Sequence, residues 1–352
     1  MRVARLEIGR PSSADLRDGI LTRDLVVGGA RWVKGRRLDA ADLDALAAAV
    51  PGANGLPAAV TVLLLDSEDL HEDEAARRLT AAVAGPGLTV RGPAQSRIDL
   101  VAAVAGVANV RIPELERLNR IDPLEVFTVF DGQVVEPGDL VASVKVAPHV
   151  VDVETVDAGA RIAGFGTRPL VWVAPFVPSR VGVIVKESVR ATARVRFESS
   201  VRAKIEGLRS TIDSIDYVKD DDDAVEAAMA ALVRRPDPVE LILTAGAAST
   251  DPLDACFVAI SALGGKVVRR GVPAHPGSML WLARIGRTAI LGLPTCGAYS
   301  KATAADLLLP RLLSGEDASE RTVAKLGHGG ILTRSQRFRF PAYARELDAP
   351  DG

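Results

Sequence analysis

With 352 residues the chain is long enough for two or three domains with substantial cores. Its formal net charge of -2 excludes a general electrostatic pull toward nucleic acid or an anionic membrane, and 48% hydrophobic with 25% charged residues is the composition of a folded chain, not a disordered one. Met1 to Arg17 lacks a continuous apolar core and the longest apolar stretch, around Leu100 to Val107, is too short to span a bilayer, so a cytoplasmic location with no membrane partner is expected.

Patterning divides the chain into an N-terminal α+β unit over 1–94, a β-rich unit over 95–175, a ligand domain over 176–315 and a C-terminal extension over 316–352. In the first unit Ala40 to Val50 and Glu72 to Val83 read as helices, one capped by Asp39 and the other opened by acidic residues that favour a helix N-terminus. The apolar run Val60 to Leu65 is a strand between them. The second unit is rich in β-branched positions, including Val126 to Phe130 and Leu140 to Val146, with Asp131-Gly132 and Glu136-Pro-Gly-Asp139 as turn signals. Gly164-Phe-Gly166 lacks the third glycine and the helix of a dinucleotide fingerprint, and neither a phosphate-loop motif nor a G-x-S-x-G elbow occurs. The two cysteines, Cys256 and Cys296, make no C-x-x-C pair, and the four histidines have no metal-ligand spacing, although His275 falls near a ligand loop.

Function is concentrated in the third unit. Leu241 to Ala245 is an apolar run, broken by Thr244, after Pro236 and Pro238, which predicts a buried parallel strand, and the Ala/Gly/Ser/Thr loop after it lets a ligand touch backbone N–H groups. Thr250 or Asp251 is expected to cap the next helix, with Pro252 in its first turn, so that unpaired N–H groups suit an anion while Asp254 suits a hydrogen-bond-donating ring edge. A second loop follows Gly271-Val-Pro-Ala-His-Pro-Gly277. The runs Met279 to Ile285 and Thr288 to Leu291 are joined by Gly286 and Arg287 as a tight hairpin, and Gly292 to Lys301 opens a helix over Ala302 to Leu313. Each feature has a plainer use: Asp220 to Asp223 as a solvated helix start, Asp254 and Lys301 as surface residues, Gly292-Leu-Pro as an ordinary turn. Their joint order is what favours a ligand.

That order, Thr244-x-Gly246 with Asp254, then Pro276-Gly277, then Gly292-Leu-Pro294 turning into a helix, resembles the molybdopterin-binding domain of molybdenum-cofactor biosynthesis proteins, the group that includes molybdopterin molybdenumtransferase and molybdopterin adenylyltransferase. The resemblance covers most of 181–314, with Val181 to Val185 similar to the family's first strand and Val218 to Val225 similar to its Val-x-Asp-Asp helix start. It implies an α/β fold with a three-layer, mostly parallel sheet in the ligand domain, preceded by smaller α+β and β-rich units. The function implied is binding of molybdopterin or the molybdenum cofactor in cofactor biosynthesis, extending to molybdenum insertion. The partners implied are the pterin, molybdate, a molybdoenzyme or its maturation factors, and further copies of the chain in a homo-oligomer.

On this resemblance Asp254, with Asp251 as rival, accepts the paired N–H donors of the pterin's aminopyrimidinone edge, and Thr244, Gly246, Ser249 and Thr250 line the first loop. Pro276, Gly277, Gly292 and Pro294 shape the second, whose Ser300 and Lys301 meet the terminal phosphate. Asp221 joins Asp254 as a catalytic candidate, and Asp220 with Asp221 would hold Mg²⁺. The chain departs from the family's Thr-Gly-Gly at Ala245 and from its Gly-Leu-Pro-Gly-Asn-Pro at Thr295 to Gly297, which favours the alternative of a non-catalytic cofactor carrier. A further alternative is a nucleotide pyrophosphatase using a related domain.

Overall fold

In the computed structural model the described residues are 1–186, 191–246, 250–293 and 302–345, the side chains of 191–193 excepted. The chain divides into two units: Met1–Ala103, Val110–Val129 and Pro137–Trp172 form the first, and Val104–Asn109, Phe130–Glu136 and Val173–Gly352 the second. Among the described residues no helix is long and apolar enough to cross a membrane.

The strands that precede residue 176 are two to seven residues long, beginning with β1 (Arg2–Glu7), β2 (Ile20–Leu21), β3 (Leu25–Val27), β4 (Ala30–Trp32), β5 (Ala59–Leu64), β6 (Asp69–His71) and β7 (Leu88–Ala94). There follow β8 (Arg97–Ala102), β9 (Gly106–Val110), β10 (Leu124–Thr128), β11 (Val134–Val135), β12 (Leu140–Val146), β13 (Val150–Asp152) and β14 (Val171–Pro175). Helices α1 (Ala40–Ala48), α2 (Glu72–Val83), α3 (Ile112–Leu118) and α4 (Val153–Ala163) lie between them. In the first unit β5 pairs antiparallel with β1 and β2, and β10-β12-β8-β7 form an antiparallel four-stranded sheet. The expected α1 cap is present as a reciprocal box, Asp39 accepting from Asp42 N and Asp42 from Asp39 N. α2 buries Ala75, Ala76, Leu79 and Val83 on one face, with Glu72, Asp73 and Glu74 in its first turn and His71 as its cap.

The second unit is built on a six-stranded sheet of order β16-β15-β17-β20-β19-β18, from β15 (Arg180–Val185), β16 (Thr211–Tyr217), β17 (Leu241–Ala245), β18 (Lys266–Arg270), β19 (Trp281–Ile285) and β20 (Thr288–Leu293). Strand alternation sorts its side chains into two cores. Val181, Val183 and Val185 join Phe197, Val201 and Ile205 of α5 (Ala191–Glu206) and the helix Ala305–Leu313. Ile184, Ile242 and Ile290 join Val225 and Met229 of α6 (Asp222–Val233) and Cys256, Phe257 and Ile260 of α7 (Ala255–Ala262). Helices therefore cover both faces, as the near-continuous apolar runs of β15 and β17 require. The C-terminal stretch adds Val323, Leu326, Leu332 and Phe340 to the first of these cores.

The expectation of a mostly parallel architecture is corrected. Among the described strand ladders, parallel pairing links β16, β15, β17 and β20, whereas β20-β19 and β19-β18 are antiparallel and the ladders described in the other sheets are antiparallel too. The reason is connection length. Parallel neighbours need a crossover of about a dozen residues or more, while β7 and β8 are joined through Gln95 and Ser96, both at positive φ, and β19 and β20 through the predicted Gly286-Arg287 hairpin.

Candidate functional site

Four parallel strands deliver their carboxyl ends to one edge of the sheet, the usual place for a ligand in such a layer. β15 hands the chain to Lys186, β16 leads to Asp220, and β17 leads to Gly246, whose φ of +93° is the left-handed geometry that glycine adopts freely. The Lys186 ammonium is buried and donates to Asp220 Oδ1 and to Asp254 Oδ2, both at 2.8 Å. Asp254 is buried with it, whereas the Asp220 side chain is 60% exposed. Burial lowers the Lys186 pKa, but the hydrogen bonds the ammonium donates to Asp220 and Asp254 outweigh it and hold the pKa above its ordinary value. The other Asp254 oxygen accepts from Cys256 N at 2.9 Å and caps α7. Burial, then the charge of Asp254, pushes the Cys256 thiol up to about 12, so this cysteine stays protonated and serves as a small packed residue.

Beside this charged pair lies a row of residues in register across the sheet: Ile184, Thr244, Gly292 and Trp281. Residues opposite one another share a face, here the face covered by α6 and α7. A side chain at position 292 would collide with the Trp281 ring, so glycine is required for the indole to lie against β20. Phe257 of α7 meets the same indole edge-on, with ring centroids 5.0 Å apart. Two polar atoms of the row, Thr244 Oγ1 and Trp281 Nε1, are buried without a nitrogen or oxygen partner; the Cys256 thiol is the polar neighbour of Thr244. An orphaned buried group costs about 1–3 kcal/mol, which a suitably placed ligand group would recover.

The structure brings Thr244, Gly246, Gly292, Asp220 and Asp254 to this edge and distributes the other candidates differently. Asp254, not Thr250 or Asp251, caps the helix, because α7 begins at Ala255; Thr250 and Asp251 are exposed, and Asp251 accepts from Leu253 N. Asp221 caps α6 by accepting from Ala224 N at 2.8 Å, and among the described residues no group of three or more His, Cys, Asp or Glu is placed to hold a metal ion. Pro276 accepts from Ala304 N at 2.9 Å and Gly277, at φ +109°, packs on Thr303 and Ala304, so this turn braces the lead into the Ala305–Leu313 helix. His275 is exposed, and its backbone pairs with Gly330 and Leu332. Ser249, Pro294, Cys296, Ser300 and Lys301 lie outside the described residues.

Lys186 and Trp281 are the additions that sequence reasoning missed. The available signal for the first was a lysine placed directly after the apolar run Val181–Val185, the run that resembles the family's first strand.

Residues 187–314 match the family described as "Probable molybdopterin binding domain". Solved structures similar to the chain include molybdenum cofactor biosynthesis protein B, 17% identical over 43% of this chain and 93% of that one with a TM-score of 0.27. Another is the molybdopterin biosynthesis moea protein from Pyrococcus horikosii, 12% identical over 74% of this chain and 81% of that one with a TM-score of 0.28. Among curated proteins nothing matches the chain. The chain thus contains a domain of the molybdopterin-cofactor biosynthesis type.

Proposed function

We propose that this domain binds molybdopterin or the finished molybdenum cofactor at the carboxyl edge of the six-stranded sheet and acts in cofactor biosynthesis. The observation that carries the reading is a buried carboxylate, Asp254, held at the sheet edge by Lys186, together with two buried polar atoms of the neighbouring strands, Thr244 Oγ1 and Trp281 Nε1, that lack a nitrogen or oxygen partner. A pterin offers adjacent N–H donors and ring acceptors, which suit the two orphaned atoms and an Asp254 carboxylate that exchanges its Lys186 contact for the ligand. Asp254 is the acceptor for the aminopyrimidinone edge. Its Oδ2 is shared with Lys186, and because Lys186 also holds the exposed Asp220, the ammonium keeps a counter-charge when a ligand takes Asp254. Lys186 supplies positive charge for an anionic ligand, with Lys301 as the further phosphate contact.

Between carrier and insertase, the arrangement around Lys186 favours the carrier. Asp220 is engaged by the ammonium and Asp221 by the α6 cap, so a divalent cation placed between them would face Lys186. Molybdenum insertion stays as the finer alternative, and a molybdoenzyme or its maturation factor is the recipient in the carrier reading.

Titrating the purified full chain with molybdopterin, followed by pterin fluorescence and calorimetry, tests the proposal. Wild type should bind, and Asp254→Asn, which preserves size and a capping oxygen, should weaken binding by about 2 to 5 kcal/mol. Absent binding by wild type, or unchanged affinity in a folded Asp254→Asn, would sink it. Adding molybdate and Mg²⁺ separates the two roles, since cofactor formed catalytically identifies the insertase and tight binding without turnover the carrier.

A further inference from the structure

β18 is the outer strand of the six-stranded sheet, paired with β19 on one side and with no strand on the other among the described residues. Its outer side leaves backbone N–H and C=O groups without a ladder partner, the template on which another extended chain can add. Beside it a groove of about 700 Å³ runs between β18 and α7, with Pro252, Phe257, Val258, Val267 and Arg270 in its wall. Leu253, next to Pro252, is 78% exposed. The turn joining the two elements fixes the wall: Gly265 N donates to the Ile260 carbonyl at 2.8 Å and Gly264 N to the Ser261 carbonyl at 3.0 Å, with Gly264 at φ +72°. A side chain at position 265 would collide with the Arg284 carbonyl and Ile285, so the end of α7 is seated directly on β19.

Charge along this edge has one sign. Lys266, Arg269 and Arg270 are exposed, and the groove lining contains no aspartate or glutamate. In the ladder Lys266 stands opposite Arg284, a like-charge pair at a position where an opposite charge would stabilise. The Arg270 guanidinium lies over the Phe257 ring, 4.6 Å from its centroid, and Arg269 donates to the Gly271 carbonyl. Strand alternation separates these side chains. Lys266 and Arg269, opposite Arg284 and Leu282, belong to one face; Val267 and Arg270, opposite Ala283 and Trp281, belong to the groove face, with a bulge at Val268 between them. An added strand would therefore meet cations on one face and an apolar slot on the other. The β18 strand of a second copy would bring cations against cations, so this edge selects against itself.

We propose that β18 is a docking edge for an extended segment of a partner protein in which acidic and apolar residues alternate. Carboxylates lie beside Lys266 and Arg269, and apolar side chains enter the groove beside Val267 and Phe257. The inference is independent of the pterin reading. Fluorescence anisotropy on the full chain tests it with a fluorescein-labelled peptide in which glutamate and valine alternate. Saturable binding that weakens in high salt is expected. A peptide with lysine in place of glutamate should not bind, nor should the first peptide N-methylated at every residue, which cannot donate to β18. Lys266→Glu and Arg269→Glu should each cut affinity at least about 10-fold while the melting temperature stays at the wild-type value, since both side chains are exposed. Arg234→Glu makes the same charge change at an exposed guanidinium on the α6 C-cap and should leave affinity unchanged. No binding of the first peptide, equal binding of its methylated or lysine form, retained affinity in Lys266→Glu, or an equal loss in Arg234→Glu would overturn the proposal. So would a wild-type oligomer in sedimentation that Lys266→Glu dissociates, because the occupant would then be a second copy.

Discussion

Lys186 and Lys204 both carry an ammonium into the interior of the second unit, but their partners differ. Lys204, on α5, donates to Asp306 at 2.5 Å; both are buried, Thr303 N donates to the other Asp306 oxygen, and the Tyr343 ring lies 5.7 Å from the ammonium. Burial, then the charge of Asp306, holds the Tyr343 hydroxyl well above its ordinary value, so the tyrosine adds no second negative charge. Lys186 has one buried carboxylate and one largely in water. A closed pair has nothing to exchange with and serves the fold. An open pair can trade a partner for a ligand without stranding its charge.

The comparison is broken most severely at the closed pair. Asp306→Ala leaves the Lys204 ammonium buried and unanswered, and chemical denaturation should report a loss of about 3 to 5 kcal/mol. Combining it with Lys204→Met should recover much of that loss, and a single variant within about 1 kcal/mol of wild type would show that Lys204 reaches water.

Lys186→Met should cost less, about 1 to 3 kcal/mol, because Asp220 returns to solvent and only Asp254 is left short of a partner. The pH dependence carries the sign of a raised pKa. Folded Lys186 holds its proton more tightly than the ordinary value of 10.5, so its contribution is complete below that value and is lost as pH rises through the higher folded value. The stability gap between wild type and Lys186→Met should therefore be flat across about pH 6 to 9 and close only above about 10.5. A gap that narrowed toward neutral pH would contradict the assignment.

Asp220→Asn is the mildest change. With its carboxylate 60% exposed, the loss should stay within about 1 kcal/mol and shrink further in high salt. A large, salt-independent loss would mean that the pair is closed after all.

How much of this was readable in advance depended on whether the signal was local. Apolar runs with Gly and Pro punctuation marked β17 and the β19-β20 hairpin, and Asp39 marked α1, because strand burial, tight turns and caps are decided within a few residues. The α7 cap was not decidable locally, since Thr250, Asp251 and Asp254 all have the right chemistry and only the observed helix start selects among them. The antiparallel sheets of the first unit rest on pairings such as β1 with β5, far apart in sequence. Lys186 reads as an ordinary solvated lysine until Asp220 and Asp254 are folded onto it, and Trp281 is hidden inside an apolar run until Gly292 is seen beneath its ring.

The reach of the Lys186 contacts also bears on the order of folding. Its two partners lie 34 and 68 positions downstream, each beyond a different strand, so neither bond closes until the intervening crossovers have docked and the loops have met their entropic cost. The site thus forms only once both crossovers are in place, ahead of longer-range contacts such as Lys204 with Asp306, 102 positions apart. A nascent chain released before Asp254 would own the first strand and its lysine but no site. Ligand binding at this edge favours the fully assembled sheet over every partly folded form, since only the finished topology presents the three charges together.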